Sequence, residues 1–204
     1  MFMRRDLPMA TMPGFTSRSP AVPSRHRMSV DDFHRIGEAG ILGHDARVEL
    51  IDGEIIDMSP IGRLHAAMVA CLSAAFHDSL KKAAVVWVQN PIVLDETNEP
   101  LPDIALLVPR DDFYVMRSPQ AADVMLVVEV ADTNLDHDLR VKVPRYAAAG
   151  VPEVWVIDVI TRTTHRFRCP KDVSYADHDT IDPDSLLVFG SASICLGTLL
   201  PSMS

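Results

Sequence analysis

Apolar residues recur at helical spacing over 64–80, where Leu64, Met68, Cys71, Leu72, Ala75, Phe76 and Leu80 fall on one face. The pattern predicts an amphipathic helix there. Upstream, Ser29 followed by Asp31 and Asp32 marks a helix start, with Phe33 and Ile36 on one face and Gly37 to Gly43 as its end. Between these helices, residues 47–58 read as two β-prone stretches around Asp52-Gly53, a strong hairpin signal. Glu49 sits among the hairpin's apolar positions Val48, Leu50, Ile55 and Met58.

Short apolar runs dominate the rest. Residues 84–89 form a strand stopped by Asn90-Pro91, 92–94 extend the strand region, and 95–100 are a polar turn. The strand predicted at 102–108 opens with Asp103, and the one at 124–130 is apolar except for Glu129, which suits a central strand buried on both faces. A helix falls within 138–149 and ends at Gly150. Pro144 requires that helix to start near Val141 or to bend. Residues 154–159 are a further apolar strand with a hairpin partner at 163–168. After Pro170 the pattern weakens into Asp-rich turns and short strands at 186–188 and 194–196. The order predicts an α/β domain with a mixed central sheet flanked by helices.

Composition narrows the class. The chain has 204 residues, 48% hydrophobic and 23% charged, enough for one globular domain and wrong for a disordered one. Residues 1–27 are rich in Pro, Ser, Arg and Met without periodicity, and read as a disordered basic leader or as an over-long start ahead of Met28. The folded domain is expected over 28–204. The net charge is −9 and becomes −13 once the leader, with five arginines against Asp6, is set aside. That acidity argues against a broad phosphate-binding surface. No apolar run approaches a membrane span, and Pro8, Pro13, Pro20 and Pro23 break any secretory core. Three widely separated cysteines exclude a grouped zinc site and point to a reducing, cytoplasmic setting. No nucleophile elbow, P-loop or dinucleotide fingerprint occurs.

Four residues carry candidate chemistry. Asp103 and Glu129 are acids set in or beside apolar strands, where an isolated carboxylate costs several kcal/mol, roughly, unless it is paired or binds a cation. On neighbouring strands they could share one divalent ion, and oxygen ligands favour Mg²⁺ or Mn²⁺. Each could equally be a strand-end acid in water or the partner of an arginine. Lys142 could orient an attacking water or stabilise charge at phosphorus, or could face solvent. Glu49 is either a further acid at the same site or the exposed side of the hairpin. His137, between Asp136 and Asp138, reads as part of a solvated turn.

The runs Arg47-Val-Glu-Leu-Ile-Asp-Gly-Glu54, Pro102-Asp103, Glu129-Val-Ala-Asp-Thr-Asn, Asp138-Leu-Arg-Val-Lys142 and Tyr146-Ala-Ala-Ala-Gly-Val-Pro-Glu-Val-Trp-Val-Ile-Asp158 together resemble the Uma-two family of restriction-type endonucleases. This is a bacterial branch of the PD-(D/E)xK nuclease superfamily, and the resemblance covers about residues 28–197. It implies a restriction-endonuclease-like core and metal-dependent hydrolysis of DNA leaving a 5′-phosphate and a 3′-hydroxyl. Asp103 matches the acid of the PD motif and Glu129 that of (D/E)xK. The motif lysine would fall at Ala131, and its role moves to Lys142. Glu49 matches the family's early acid.

The resemblance further implies that Asp103, Glu129 and the backbone carbonyl of Val130 hold Mg²⁺ or Mn²⁺. His65 matches a position often histidine in the family, although a helix-surface residue is the simpler reading. Gln89 matches a frequently polar position and could hold the attacking water. Phosphate contacts are expected at Arg140, Arg145 and the arginines of 162–168, with weak, salt-sensitive binding. A core of this size that cuts both strands needs two copies or two binding events, which favours a homodimer. Two other readings stay open. One is a catalytically silent nuclease-fold protein that binds DNA or a protein partner, and the other is a small-molecule hydrolase using the same metal site.

Overall fold

The structure, a computed structural model, describes residues 25–43 and 46–199. The leader expected over 1–27 therefore lies, for residues 1–24, outside the described residues. Its last residues rest on a hairpin turn: Arg27 Nη1 donates to the Asp52 carbonyl at 2.7 Å and Met28 N to the Gly53 carbonyl at 3.0 Å. Ser29 caps α1 (Val30–Glu38), its hydroxyl accepting from Asp32 N while the Asp32 carboxylate accepts from Ser29 N.

β1 (Val48–Ile51) and β2 (Glu54–Asp57) form the expected hairpin as a sheet of their own. Asp52 and Gly53 both take positive φ, 51° and 70°, as the tightest hairpin turn demands. The predicted amphipathic helix is α2 (Arg63–Leu80), which buries Met68, Leu72, Phe76 and Leu80.

The central sheet has six strands in sequential order: β3 (Val85–Val88), β4 (Ile104–Leu107), β5 (Val124–Ala131), β6 (Glu153–Asp158), β7 (Thr164–Lys171) and β8 (Ser174–Ile181). All neighbours are antiparallel except β5 and β6. A parallel pair needs a crossover. Here it consists of α3 (Leu135–His137), a π-helical turn over Asp138–Lys142, and α4 (Val143–Ala148). The widened turn resolves the problem posed by Pro144. Proline offers no N–H and crowds the carbonyl four residues back, so the chain departs from α geometry before it and resumes with proline in the first turn of α4.

The alternation of β4 and β5 sorts side chains onto two faces. Ile104, Leu106, Leu126, Val128 and Val130 pack with α2, while Ala105, Leu107, Val127 and Ala131 pack with Val143 and Tyr146 on the α4 side. A C-terminal hairpin, β9 (Leu186–Phe189) with β10 (Ala192–Cys195), and α5 (Leu196–Leu199) join the α2 side through Leu187, Ile194 and Leu196.

β8 departs from the sequence reading, which placed Asp-rich turns there. Its residues alternate exposed and half-buried, and Asp177 and Asp179 are held by Arg168 and Arg166 of β7. Acids that look like turn residues in sequence are here cross-strand ion-pair partners. Residues 92–94 contribute isolated bridges rather than a strand. Among the described residues no helix is long and apolar enough to cross a membrane.

Candidate active site

The register of β4 and β5 puts two acids side by side. Ile104 pairs with Val128 and Ala105 with Val127, so Asp103, one residue ahead of β4, falls opposite Glu129. Both lie at the odd positions that face α4. Asp103 is only 8% exposed, and its Oδ2 accepts from Val130 N at 2.9 Å. Gln89 Nε2 donates to Oδ1 at 3.2 Å, and His65 Nε2 lies 2.9 Å from the same oxygen. In an extended strand the N–H and C=O of one residue point the same way, so the Val130 carbonyl shares the edge that faces Asp103.

Glu129 is buried, and its Oε1 accepts from Tyr146 Oη at 2.5 Å and from Lys142 Nζ at 3.2 Å. Lys142 Nζ also lies 3.0 Å from Glu49 Oε2, so one ammonium joins the hairpin acid to the sheet acid. Glu49 is buried as well, and its Oε2 accepts from Leu101 N at 3.2 Å. The exposed-hairpin alternative for Glu49 and the solvent-lysine alternative for Lys142 are thereby overturned. Alternation along β1 turns Glu49 inward against the crossover.

The electrostatics follow from burial. Burial pushes the Glu129 carboxyl up to about 8, with Asp138 and Asp103 adding to the push and Lys142 and Tyr146 opposing it. Burial likewise drives Asp138 up to about 7, against the pull of Lys142. Burial works against the Lys142 ammonium, yet Glu129, Glu49 and Asp138 together hold its proton more firmly than in an ordinary lysine.

Three residues of this cluster were not singled out by sequence reasoning, or were read otherwise. Asp138, in sequence merely part of a motif run, is buried, with Oδ2 accepting from Asn134 Nδ2 at 3.0 Å and Oδ1 lacking any partner. Tyr146 likewise carries no distinguishing signal of its own within its run. The available signal was spacing: Asp138, Lys142 and Tyr146 recur every four residues, which sets three polar groups on one face of a helical segment. His65, taken as a helix-surface residue, instead reaches Asp103, because α2 starts beside the site. The solvated-turn reading of residues 136–138 holds for the exposed Asp136 alone, since His137 is half-buried with Nε2 3.8 Å from Glu49 Oε1. Gln89, which could hold a water, donates its Nε2 N–H to Asp103.

Glu49, His65, Asp103, Glu129, His137 and Lys142 line a cleft of about 480 Å³ between the hairpin, the start of α2 and the crossover. Arg47, Asp57, Asp132 and Asp136 stand on its walls. The arginines expected to contact phosphates are engaged elsewhere. Arg145 pairs with Asp52, Arg166 with Asp179 and Arg168 with Asp177, while Arg162 Nη1 donates to the Gly197 carbonyl. Arg140 lies 3.6 Å from Asp136 on the surface. The expected basic face is thus largely neutralised by ion pairs within the fold.

Hard oxygen donors around a single lysine suit a divalent cation. Glu49, Asp103, Glu129 and Asp138 outnumber Lys142, and the orphaned Asp138 Oδ1 marks unmet demand for positive charge. Among the described residues no three His, Cys, Asp or Glu side chains form a ready-made ion cage. Asp103, Glu129 and the Val130 carbonyl are oxygen donors brought together where β4 begins and β5 ends.

A family model described as "Uma2: Putative restriction endonuclease" matches residues 30–192. A crystal structure described as that of "a putative nuclease belonging to DUF820" from Anabaena variabilis has the same fold. It superposes with a TM-score of 0.64 at 16% identity, covering 84% of this chain and 97% of that one. Comparison with curated proteins finds no match.

Proposed function

The chain belongs to the Uma2 family, and on that premise we propose that it is a metal-dependent endonuclease that hydrolyses phosphodiester bonds in DNA. The observation that carries the reading is the buried set of Asp103, Glu129 and Lys142 at the floor of one cleft. In this reading Asp103, Glu129 and the Val130 carbonyl hold Mg²⁺ or Mn²⁺. Such an ion, when bound, supplies charge neutralisation at the phosphoryl oxygens and eases deprotonation of a water.

The chain's own groups do the rest. Val130 N and Gln89 Nε2 fix the Asp103 carboxylate in one orientation. Lys142 Nζ, already charged and held by Glu49 and Glu129, has N–H capacity left to donate to a phosphoryl oxygen as negative charge builds there. Glu49 positions that ammonium. The hairpin and α2 wall the cleft and limit water at the reacting centre. Three unpaired cysteines, Cys71, Cys169 and Cys195, suit a reducing cytoplasmic compartment. Cutting both strands calls for two such sites, which supports a homodimer as the working form.

The test is supercoiled plasmid with the purified chain and Mg²⁺ or Mn²⁺. We expect nicking that falls by about 100-fold or more in Asp103→Ala and Glu129→Ala. Equal nicking by Asp103→Ala would sink the site assignment. Divalent-ion binding with no nicking of any DNA would favour a silent, DNA-binding member of the family.

A further inference from the structure

We infer that Tyr146 is a positioning residue that fixes which oxygen of Glu129 faces the cation, an inference that rests on the nuclease reading above. The Tyr146 hydroxyl is fully buried and donates to Glu129 Oε1 at 2.5 Å, and Lys142 Nζ reaches the same oxygen at 3.2 Å. Oε2 accepts no hydrogen bond among the described residues. Two donors on one oxygen pin the carboxylate's rotation and leave the other oxygen to coordinate. By the register of β4 and β5, Glu129 lies opposite Asp103, the other acid of the proposed cation site.

The placement is built by the crossover. Lys142 closes the π-helical turn, and Tyr146 follows four residues later in α4, so both project onto the same carboxylate. The Tyr146 ring packs with Val127, Val154 and Val156, which leaves it no alternative rotamer without opening the core. A buried phenol needs a hydrogen-bond partner, and the Glu129 carboxyl is this one's partner.

The test is the affinity of the full chain for Mn²⁺, measured by calorimetry, in wild type and Tyr146→Phe. The variant keeps the ring and removes only the hydroxyl. We expect Mn²⁺ affinity to fall about 10- to 100-fold while the metal-free melting temperature changes little. A tyrosine that serves packing alone would leave both the melting temperature and the Mn²⁺ affinity as they were, because the ring is kept; an unchanged affinity would overturn the inference and leave the nuclease reading standing. Wild type that binds no Mn²⁺ would overturn both. A second measurement needs no variant: with ¹³Cζ-labelled tyrosine, of which the chain has three, Mg²⁺ should move the Tyr146 resonance and leave Tyr114 and Tyr175 in place. A Tyr146 resonance unmoved by saturating Mg²⁺ would also overturn it.

Discussion

Glu99 lies away from the cleft, buried in the loop that supports the hairpin, and burial pushes its carboxyl above the usual 4.5 while His34 pulls it back in part. His34 Nε2 sits 2.7 Å from Oε2, and Oε1 has no partner. A carboxyl whose folded pKa is raised contributes stability that is fully present below its unfolded pKa. That stability is lost as pH rises through the folded value. The chain should therefore lose stability as pH climbs from about 4.5, and Glu99→Gln should flatten that part of the profile. Urea midpoints across the range measure it; an unchanged slope in Glu99→Gln would refute the assignment. The contrast with Glu49 is instructive. Both acids are buried, but Glu49 has Lys142 and a backbone N–H, whereas Glu99 has only a half-exposed imidazole for one oxygen.

Among the elements, the β1–β2 hairpin matters most, because it delivers Glu49. Its turn leaves no room at Gly53: a Cβ there would lie 2.8 Å from the Met28 backbone, at a φ of +70° that side chains avoid. Gly53→Ala should cost about 1–2 kcal/mol from the left-handed conformation alone, and more as Met28 is displaced. Denaturant unfolding gives the loss, which an unchanged midpoint would contradict. The hairpin, α2 and the apolar strands were legible in sequence because each rests on a local signal: Asp52-Gly53, helical spacing, and uninterrupted β-prone runs. β8 was not, since its aspartates carry turn propensity and only their arginine partners on β7 explain them. The π-helical turn was half-legible, for Pro144 required a departure without saying which kind. At the site, Asp103, Glu129 and Lys142 stood out as charged residues in apolar settings or in a motif. Asp138 and Tyr146 gained their meaning from the crossover's geometry, and His65 from where α2 begins.

Over the whole molecule, one sheet separates two apolar layers, and the cleft opens where the α4 layer meets the hairpin. Glu49, Asp103 and the Glu129–Lys142 pair come from three separate stretches of chain, so the site exists only when the layers and the hairpin are assembled together. The domain's acidity also takes on a local meaning. Many surface arginines are spent on ion pairs such as Arg110–Asp112, Arg117–Asp123 and Arg166–Asp179, while several acids crowd one cleft. The hairpin is a two-stranded sheet apart from the main one. Its hold on the body includes the Leu50–Glu99 bridge, the Gly53 N–H on Thr97, the Asp52 N–H on Asn98, the Leu101 N–H on Glu49, and the Arg145–Asp52 and Lys142–Glu49 pairs. In the language of amide exchange, such a unit opens on its own at lower free energy than a strand buried on both faces. Its amides should trade deuterium faster than those of β5, and Mn²⁺ bound at the cleft, through charge shared by way of Lys142, should slow the hairpin more than any other surface element.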